Sequence, residues 1–304
     1  VFFGGSDGLF GEVGGDQRSD TWEWDGTWWQ PILTDAAPPA RRGTALAYDP
    51  ASAHVVLFGG DTGIPRADTW RFDGRTWTEV VVATAPPARR DHVLVNAGPD
   101  TGLVVFGGSA GAAARGDTWR FDGTTWTEVP GAGPSARFGA AAAYDAVRGR
   151  LVLFGGLDDG GTARGDTWEF DGAGWSVRAL VVAPPARAGA TMVFDVAHGD
   201  VVMVGGRGSD AAPRADAWRF DGTTWTEVFG AGPSPRTQAS AAYDSIRGQL
   251  VMFGGLGAAD AYAGDTWLLS DSAWQAAPAP VLPVQRRRVS MAYDPLRARV
   301  VGGG

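Results

Sequence analysis

The sequence predicts an all-β protein, a six-bladed β-propeller of four-stranded antiparallel blades. Three observations lead to this prediction. The triplet Asp-Thr-Trp, once Asp-Ala-Trp, recurs at a period of 48 to 50 residues. Each of these tryptophans is followed seven residues later by another, and a glycine pair precedes each triplet. A fixed period of this length is typical of repeat architectures. The tryptophans that end the triplets are Trp22, Trp70, Trp119, Trp168, Trp218 and Trp267.

The second repeat shows how one unit is built. Its first apolar run, residues 44–48, ends at a cluster of turn-forming residues that begins with Asp49. A second run, residues 54–58, is rich in β-branched residues and ends at Gly59-Gly60. The Asp73-Gly74 step connects the last two strands and is a strong hairpin signal. The repeat therefore predicts four short strands, named a to d in chain order, at residues 44–48, 54–58, 68–72 and 76–80.

Side-chain size predicts where each strand lies relative to the propeller axis. Strand a is composed of small residues, as in the four alanines at 140–143, and blades converge near the axis. The two tryptophans of each repeat lie on strands c and d, where blades diverge and more volume must be filled.

The two ends of the chain are predicted to share one blade. Residues 286–300 contain a strand a and the start of a strand b, and residues 1–5 contain the end of a strand b. Joining Val300 to Val1 reproduces the pattern of residues 54–60, so Val301 and residues 302–304 are expected to form a redundant tail. The predicted domain is a single propeller over residues 1–304, with blades at 286–301 joined to 1–33, and at 41–80, 89–129, 137–177, 187–228 and 236–275.

The repeat resembles the kelch family. The resemblance is carried by the double glycine after strand b, the aromatic–Asp-Gly step, the spaced tryptophan and the arginine that enters strand a. The repeat of about 49 residues is similar to the long bacterial kelch repeats, which are related to the propeller domain of galactose oxidase. The resemblance covers the whole chain and implies a face, formed by the b–c and d–a loops, that commonly binds partners. It does not imply galactose oxidase activity, which requires a cysteine-crosslinked tyrosine, because the chain has no cysteine.

Composition argues against several classes of function. The chain has no cysteine and no lysine, which excludes thiolate catalysis and Schiff-base chemistry. Its net charge of −8 argues against nucleic acid as a partner, and it has no apolar run long enough to insert into a membrane. We expect a monomer with no cofactor and no metal site. The compartment stays open, with a secreted or periplasmic location as one option.

Recurring arginines and aspartates allow two interpretations. A ring of arginines could bind an anionic ligand at one channel mouth, or the arginines could pair with the triplet aspartates and tie blade to blade. We favour the structural pairing, because a ligand rarely needs six equivalent contacts. The arginines that open strand a are Arg41, Arg89, Arg137, Arg187, Arg236 and Arg286, and the aspartates are Asp20, Asp68, Asp117, Asp166, Asp216 and Asp265. A second arginine precedes the triplet at Arg18, Arg66, Arg115, Arg164 and Arg214.

Residues that break the repeat are the candidates for a site. The first b–c loop, residues 6–19, is longer than the others and apolar in part, which favours recognition or a loop folded over the channel. At the start of strand a the third repeat has Asp91-His92, where three other repeats have glycine and one has Gln238. A histidine beside a carboxylate could serve proton transfer, but we favour a single histidine whose hydrogen bonds are satisfied. The predicted binding residues are Leu9, Phe10, Glu12, Arg42, Arg90, Asp91, His92, Phe138, Gln238, Tyr262, Arg287 and Arg288.

Three functions remain open from sequence. The leading prediction is a non-catalytic module that recognises a protein, peptide or glycan through the b–c/d–a face. The alternative is an enzyme or small-ligand pocket at the channel mouth, built from Asp91, His92, Arg90, Gln238 and Arg288. A structural or engineered scaffold is the third.

Overall fold

The structure is a computed structural model that describes residues 1–7, 17–271, 273–278 and 283–301. Its strands form six four-stranded antiparallel sheets arranged as the blades of a propeller, which confirms the predicted fold. We number the blades 1 to 6 along the chain, with blade 1 holding both chain ends. In the described ranges, no helix is long and apolar enough to cross a membrane.

Consecutive strands pair as antiparallel neighbours in the order a-b-c-d, with strand a innermost. The a strands of blades 1 to 6 are Ser290–Asp294, Ala45–Asp49, Val93–Asn96, Ala141–Asp145, Thr191–Asp195 and Ser240–Asp244. The b strands are Arg299–Val301 with Phe2–Phe3, then His54–Phe58, Leu103–Phe106, Arg150–Phe154, Asp200–Val204 and Gln249–Phe253. The c strands are Thr21–Trp24, Thr69–Phe72, Thr118–Phe121, Thr167–Phe170, Ala217–Phe220 and Thr266–Ser270. The d strands are Trp29–Ile32, Trp77–Val80, Trp126–Val129, Trp175–Arg178, Trp225–Val228 and Ala273–Ala276. A small hairpin, Ser109–Ala110 with Ala113–Ala114, lies in the third b–c loop, and a 3₁₀ turn, Ala258–Asp260, in the sixth.

The hydrophobic core lies between neighbouring blades. Strand b is buried beyond its first residue because both faces of its sheet are covered. Phe58 of blade 2 packs against Trp126 of blade 3 with ring centroids 5.0 Å apart. The buried indole still needs a hydrogen-bond partner, and Trp126 Nε1 donates to Thr69 Oγ1 of blade 2 at 3.0 Å. The tryptophan that opens strand d therefore links each such pair of blades by both packing and a hydrogen bond.

Both chain ends complete strand b of blade 1, as the sequence predicts. Val300 pairs with Tyr293 on one side and Trp24 on the other, and Phe2 continues the strand by pairing with Met291 and Trp22. The ring is therefore closed by hydrogen bonds and packing rather than by a covalent connection. The prediction that Val301 belongs to a redundant tail is wrong, because Val301 is the last residue of this strand. Residues 302–304 lie outside the described residues.

The arginine at the start of strand a ties blade to blade, but in a different way from the predicted one. The backbone of Arg89 accepts a hydrogen bond from Gly60 N and donates to Arg66 O, both in the preceding blade, at 2.9 Å each. Its guanidinium instead pairs with Asp117 of its own blade. The same pattern recurs around the ring, so the side-chain pair holds one blade together and the main chain joins it to its neighbour.

The second arginine does not pair with the triplet aspartate. Arg164 binds Asp158, and Arg214 binds Asp210, and both of these carboxylates belong to the b–c loop of the same blade. Arg164 and Arg214 therefore brace two of the loops that form one face of the propeller.

Candidate binding site at the channel mouth

Six backbone hydrogen bonds form a closed ring around the channel at the b–c/d–a face. The residue two positions before each strand a donates its N–H to the carbonyl oxygen of its equivalent in the preceding blade, at 2.7 to 3.1 Å. All six have a left-handed backbone conformation, with φ between 53° and 66°. The ring residues are Arg288, Gly43, Asp91, Gly139, Gly189 and Gln238, in blade order.

Three ring positions carry side chains where glycine is the favourable residue. Left-handed backbone costs a non-glycine residue roughly 1 kcal/mol, and glycine avoids that cost. The chain uses glycine at Gly43, Gly139 and Gly189 but places Asp91, Gln238 and Arg288 at the other three. Non-glycine residues held in such a conformation cluster at functional sites, so these three are the strongest candidates.

Arginines and carboxylates converge beside Asp91. Arg90 Nη1 lies 2.5 Å from Asp61 Oδ2, and Arg288 Nε lies 3.5 Å from Asp91 Oδ1. Arg42 Nη2 is 3.8 Å from the same Asp61 oxygen. These five side chains are half-buried or buried, and within the described part of the chain they comprise three guanidinium groups and two carboxylates. The structure thus brings together Arg42, Arg90, Asp91 and Arg288, as the predicted site requires.

The electrostatics of Arg42 reflect this crowding. Burial lowers the pKa of Arg42 and the neighbouring charge of Arg288 lowers it further, while Asp61 opposes the shift. The group stays protonated at any physiological pH. Because the charges of Arg42 and Arg288 repel each other, an anion bound beside them would be favourable.

A cavity of about 150 Å³ lies at this mouth, next to the ring. Phe138 and Leu157 supply its apolar wall, and Asp91, Gln238 and Arg288 supply polar groups. The Gln238 Oε1 atom is buried and has no hydrogen-bond partner among the described residues. Buried polar atoms are usually satisfied, so this acceptor is available to a bound group.

Tyr262 and Arg287 extend the site toward blade 6. The Arg287 guanidinium lies over the Tyr262 ring at 5.4 Å from its centroid, a cation–π contact. Arg287 also pairs by a β-bridge with Ser6, the residue that begins the long first b–c loop. The base of that loop is fixed by Ser6 with Gln17 and by an Asp7–Arg18 ion pair. Leu9, Phe10 and Glu12 lie outside the described residues.

His92 follows the ring residue Asp91 in sequence, but its side chain lies in a different environment. Its side chain is 7% exposed and packs edge-on against the Phe58 ring, with centroids 5.4 Å apart. Burial, with the charge of Arg89, lowers the pKa of His92 to about 3. Such a weak base does not suit proton transfer near neutral pH. The structure therefore does not favour an Asp91–His92 acid–base pair, and among the described residues no group of three metal-ligating side chains occurs.

The sequence did not reveal the hydrogen-bonded ring itself. The sequence signal for the ring was the glycine at three equivalent positions, because a glycine that recurs before a strand indicates a left-handed backbone conformation there. The same comparison with the other repeats did single out Asp91, Gln238 and Arg288. Their shared role in the ring depends on contacts between blades, which a repeat pattern does not specify.

The fold and the repeat together define a class of protein: a six-bladed propeller with the glycine pair, arginine and tryptophan of kelch repeats. The KLHDC2/KLHL20/DRC7 Kelch-repeats domain family matches residues 124–303, more than half of the chain. The chain belongs to this kelch-repeat family, whose propellers generally mediate protein interactions. Among curated proteins, none matches the chain significantly.

Proposed function

We propose that the protein is a binding module that recognises a partner protein through an anionic peptide segment, at the b–c/d–a mouth of the channel. The observation that carries the proposal is the convergence of Arg90 and Arg288, with Arg42 beside them, at a mouth where the Nε atoms of Arg90 and Arg288 make no hydrogen bond within the described residues. A carboxylate from a partner would complete this cluster, since guanidinium groups bind carboxylates through two parallel hydrogen bonds.

Unused hydrogen-bonding capacity supports the same conclusion. The Nε atoms of Arg90 and Arg288 are buried and make no hydrogen bond within the described residues. Together with the free Gln238 Oε1, they offer both donors and an acceptor. A peptide presents a carboxylate and backbone N–H groups at once, whereas an uncharged glycan brings no carboxylate to the arginines. We therefore favour a peptide over a glycan.

The neighbouring groups would give specificity. Phe138 and Leu157 form an apolar wall beside the polar cluster, and Tyr262 with Arg287 provides a flat surface toward blade 6. Aromatic and arginine side chains are the residues that most often dominate binding energy at interfaces. Binding would then require an acidic group next to an apolar side chain.

A displayed library of random peptides tests the proposal, with binding of enriched peptides measured by fluorescence anisotropy. We expect enriched peptides to bind through an acidic side chain or a terminal carboxylate, with affinity that falls as salt rises. Arg288→Glu should weaken binding by about tenfold or more, because it replaces an attraction by a repulsion. Since the ring uses only the backbone of Arg288, the fold should be unaffected.

Arg75→Glu is the matched control. It makes the same charge change on an exposed c–d turn at the opposite face, so binding should change little. Enriched peptides without acidic groups would contradict the proposal. So would an equal loss of affinity in the two variants.

A further inference from the structure

The channel mouth on the opposite face, formed by the a–b hairpins, has a different chemistry. A cavity of about 560 Å³ opens there, larger than the one at the b–c/d–a mouth. Five of the six blades place an aromatic residue at the same position of strand a, and all five line this cavity. These residues are Tyr48, Tyr144, Phe194, Tyr243 and Tyr293, and blade 3 has Asn96 instead.

The wall below the aromatic residues is also apolar. Leu46, Leu94, Met192 and Met291 occupy equivalent positions of strand a and line the same cavity. Methionine adapts its shape readily and packs well against ring systems. The inner surface is therefore suited to a rigid apolar body rather than to a polar one.

The Tyr243 hydroxyl and three carboxylates near this mouth are already engaged by the protein. The Tyr243 hydroxyl accepts a hydrogen bond from Ala197 N at 3.2 Å. Burial, together with the interaction with Asp195 of blade 5, raises the pKa of Tyr243 to about 12. Asp244 is bound by Arg247 at 2.7 Å, and ion pairs of the same kind join Asp145 to Arg148 and Asp294 to Arg297. Within the described residues, these carboxylates therefore offer no uncompensated charge to a ligand.

Exposed aliphatic side chains surround part of the mouth. The a–b turns of four consecutive blades carry Val147, Val196, Ile246 and Leu296, with 58 to 71% of each residue exposed. Val196 also lines the cavity, whereas Val147 does not. Such exposed apolar side chains next to an apolar cavity favour a binding site at this mouth.

We propose that this mouth is a second binding site, which takes an uncharged, largely apolar small molecule with a planar ring system. The volume lies within the range of about 300–1,000 Å³ typical of small-molecule pockets. The aromatic side chains of the wall favour stacking with a planar ring. Within the described residues, the carboxylates near this mouth are paired with arginines, which disfavours an ionised ligand. The site is independent of the peptide site, because the two lie at opposite ends of the channel.

Fluorescence titration with two uncharged dyes, N-phenyl-1-naphthylamine and Nile red, tests the proposal on the full chain. Saturable binding at one site is expected for the unmodified protein. Val196→Arg should weaken it by about tenfold, because a cation would be placed at the entrance to an apolar pocket. Phe194→Asn should weaken it as well, and the chain itself has asparagine at the equivalent position of blade 3, so the fold should tolerate this change.

Val147→Arg is the matched control, since it introduces the same charge on a neighbouring hairpin outside the cavity; binding should be retained. The anionic dye 1-anilinonaphthalene-8-sulfonate should bind about tenfold more weakly than the uncharged dyes. The proposal would be overturned if neither uncharged dye showed saturable binding, or if the anionic dye bound as tightly as the uncharged ones. It would also be overturned if dye affinity were unchanged in both Val196→Arg and Phe194→Asn, or if Val147→Arg lost as much dye affinity as Val196→Arg. Arg288→Glu should leave dye binding intact, so failure of one site is distinguishable from failure of the other.

Discussion

At the scale of single residues, the repeat provides its own comparison for each position. Trp225 Nε1 donates to Thr167 Oγ1 of the preceding blade at 3.0 Å, and the same bond recurs at four other junctions. At the junction of blades 5 and 6 the threonine is replaced by Ala217, which is buried and packs in the same cluster as Trp274. This junction lacks a hydrogen bond that the others have.

Ala217→Thr should therefore stabilise the protein. The added hydroxyl reproduces a bond that each of the five other junctions makes, so we expect the free energy of unfolding to rise by about 1 kcal/mol. Ala217→Val is the control, because it adds similar volume without the hydroxyl. Urea denaturation followed by tryptophan fluorescence measures both. An equal gain in the two variants would show that volume, not the hydrogen bond, is responsible.

At the scale of secondary-structure elements, the strand-a arginine connects three segments. Arg137 pairs with Asp166 at 2.6 and 2.9 Å and donates to the Gly155 carbonyl oxygen at 3.0 Å, while its backbone bonds to blade 3. In blade 1 the equivalent Arg286 lies 3.8 Å from Asp20. The blade that contains both chain ends thus has a looser pair than the others.

Arg137→Met should cost about 3 kcal/mol, because it leaves Asp166 buried in part without its cationic partner. Arg286→Met should cost less, since its pair is already long. Equilibrium unfolding in urea compares the two variants under identical conditions. A larger loss for Arg286→Met would contradict this account of how the blades are held.

At the scale of the whole molecule, carboxyl groups determine the pH dependence of stability. Burial opposes ionisation of Asp166, but its bonds to Arg137 and Trp168 prevail and hold its pKa below the ordinary value. Its equivalents in blades 2, 3, 5 and 6 shift in the same direction. Glu23 and Asp200, whose pKa values are raised by burial, act in the opposite sense. The lowered groups are more numerous, so acid should destabilise the fold.

We expect the free energy of unfolding to be constant near neutral pH and to fall as the pH drops below about 4. A group whose pKa is lower in the folded state stabilises the protein above its unfolded pKa, near 3.9 for aspartate, and loses that contribution as it is protonated. Urea denaturation between pH 7 and pH 2.5 measures this. Asp166→Asn should be less stable at pH 7 and lose less on acidification; a steeper loss than in the unmodified protein would contradict the assignment.

Sequence reasoning and structure agree most closely where one repeat specifies its own geometry. The Asp73-Gly74 step, the strand of His54–Phe58 and the shared strand b of blade 1 follow from local pattern and spacing. The sequence predicted correctly that an arginine of strand a pairs with Asp166, but it placed this pair between two blades instead of within one. A repeat pattern does not say whether a contact is within a blade or between blades. The left-handed ring and the apolar a–b mouth depend on six strands meeting at one axis, so they become visible only when the blades are assembled.

The central claim is that side chains at three ring positions serve binding rather than folding. The variant Asp91→Gly/Gln238→Gly/Arg288→Gly, which makes the ring glycine throughout, tests it most directly. We expect unfolding in urea to show equal or greater stability, since the backbone strain is relieved, and binding of the library-selected acidic peptides to fall at least tenfold, roughly 1.4 kcal/mol. Unchanged peptide affinity in this variant, or a stability loss above about 1 kcal/mol, would contradict the claim.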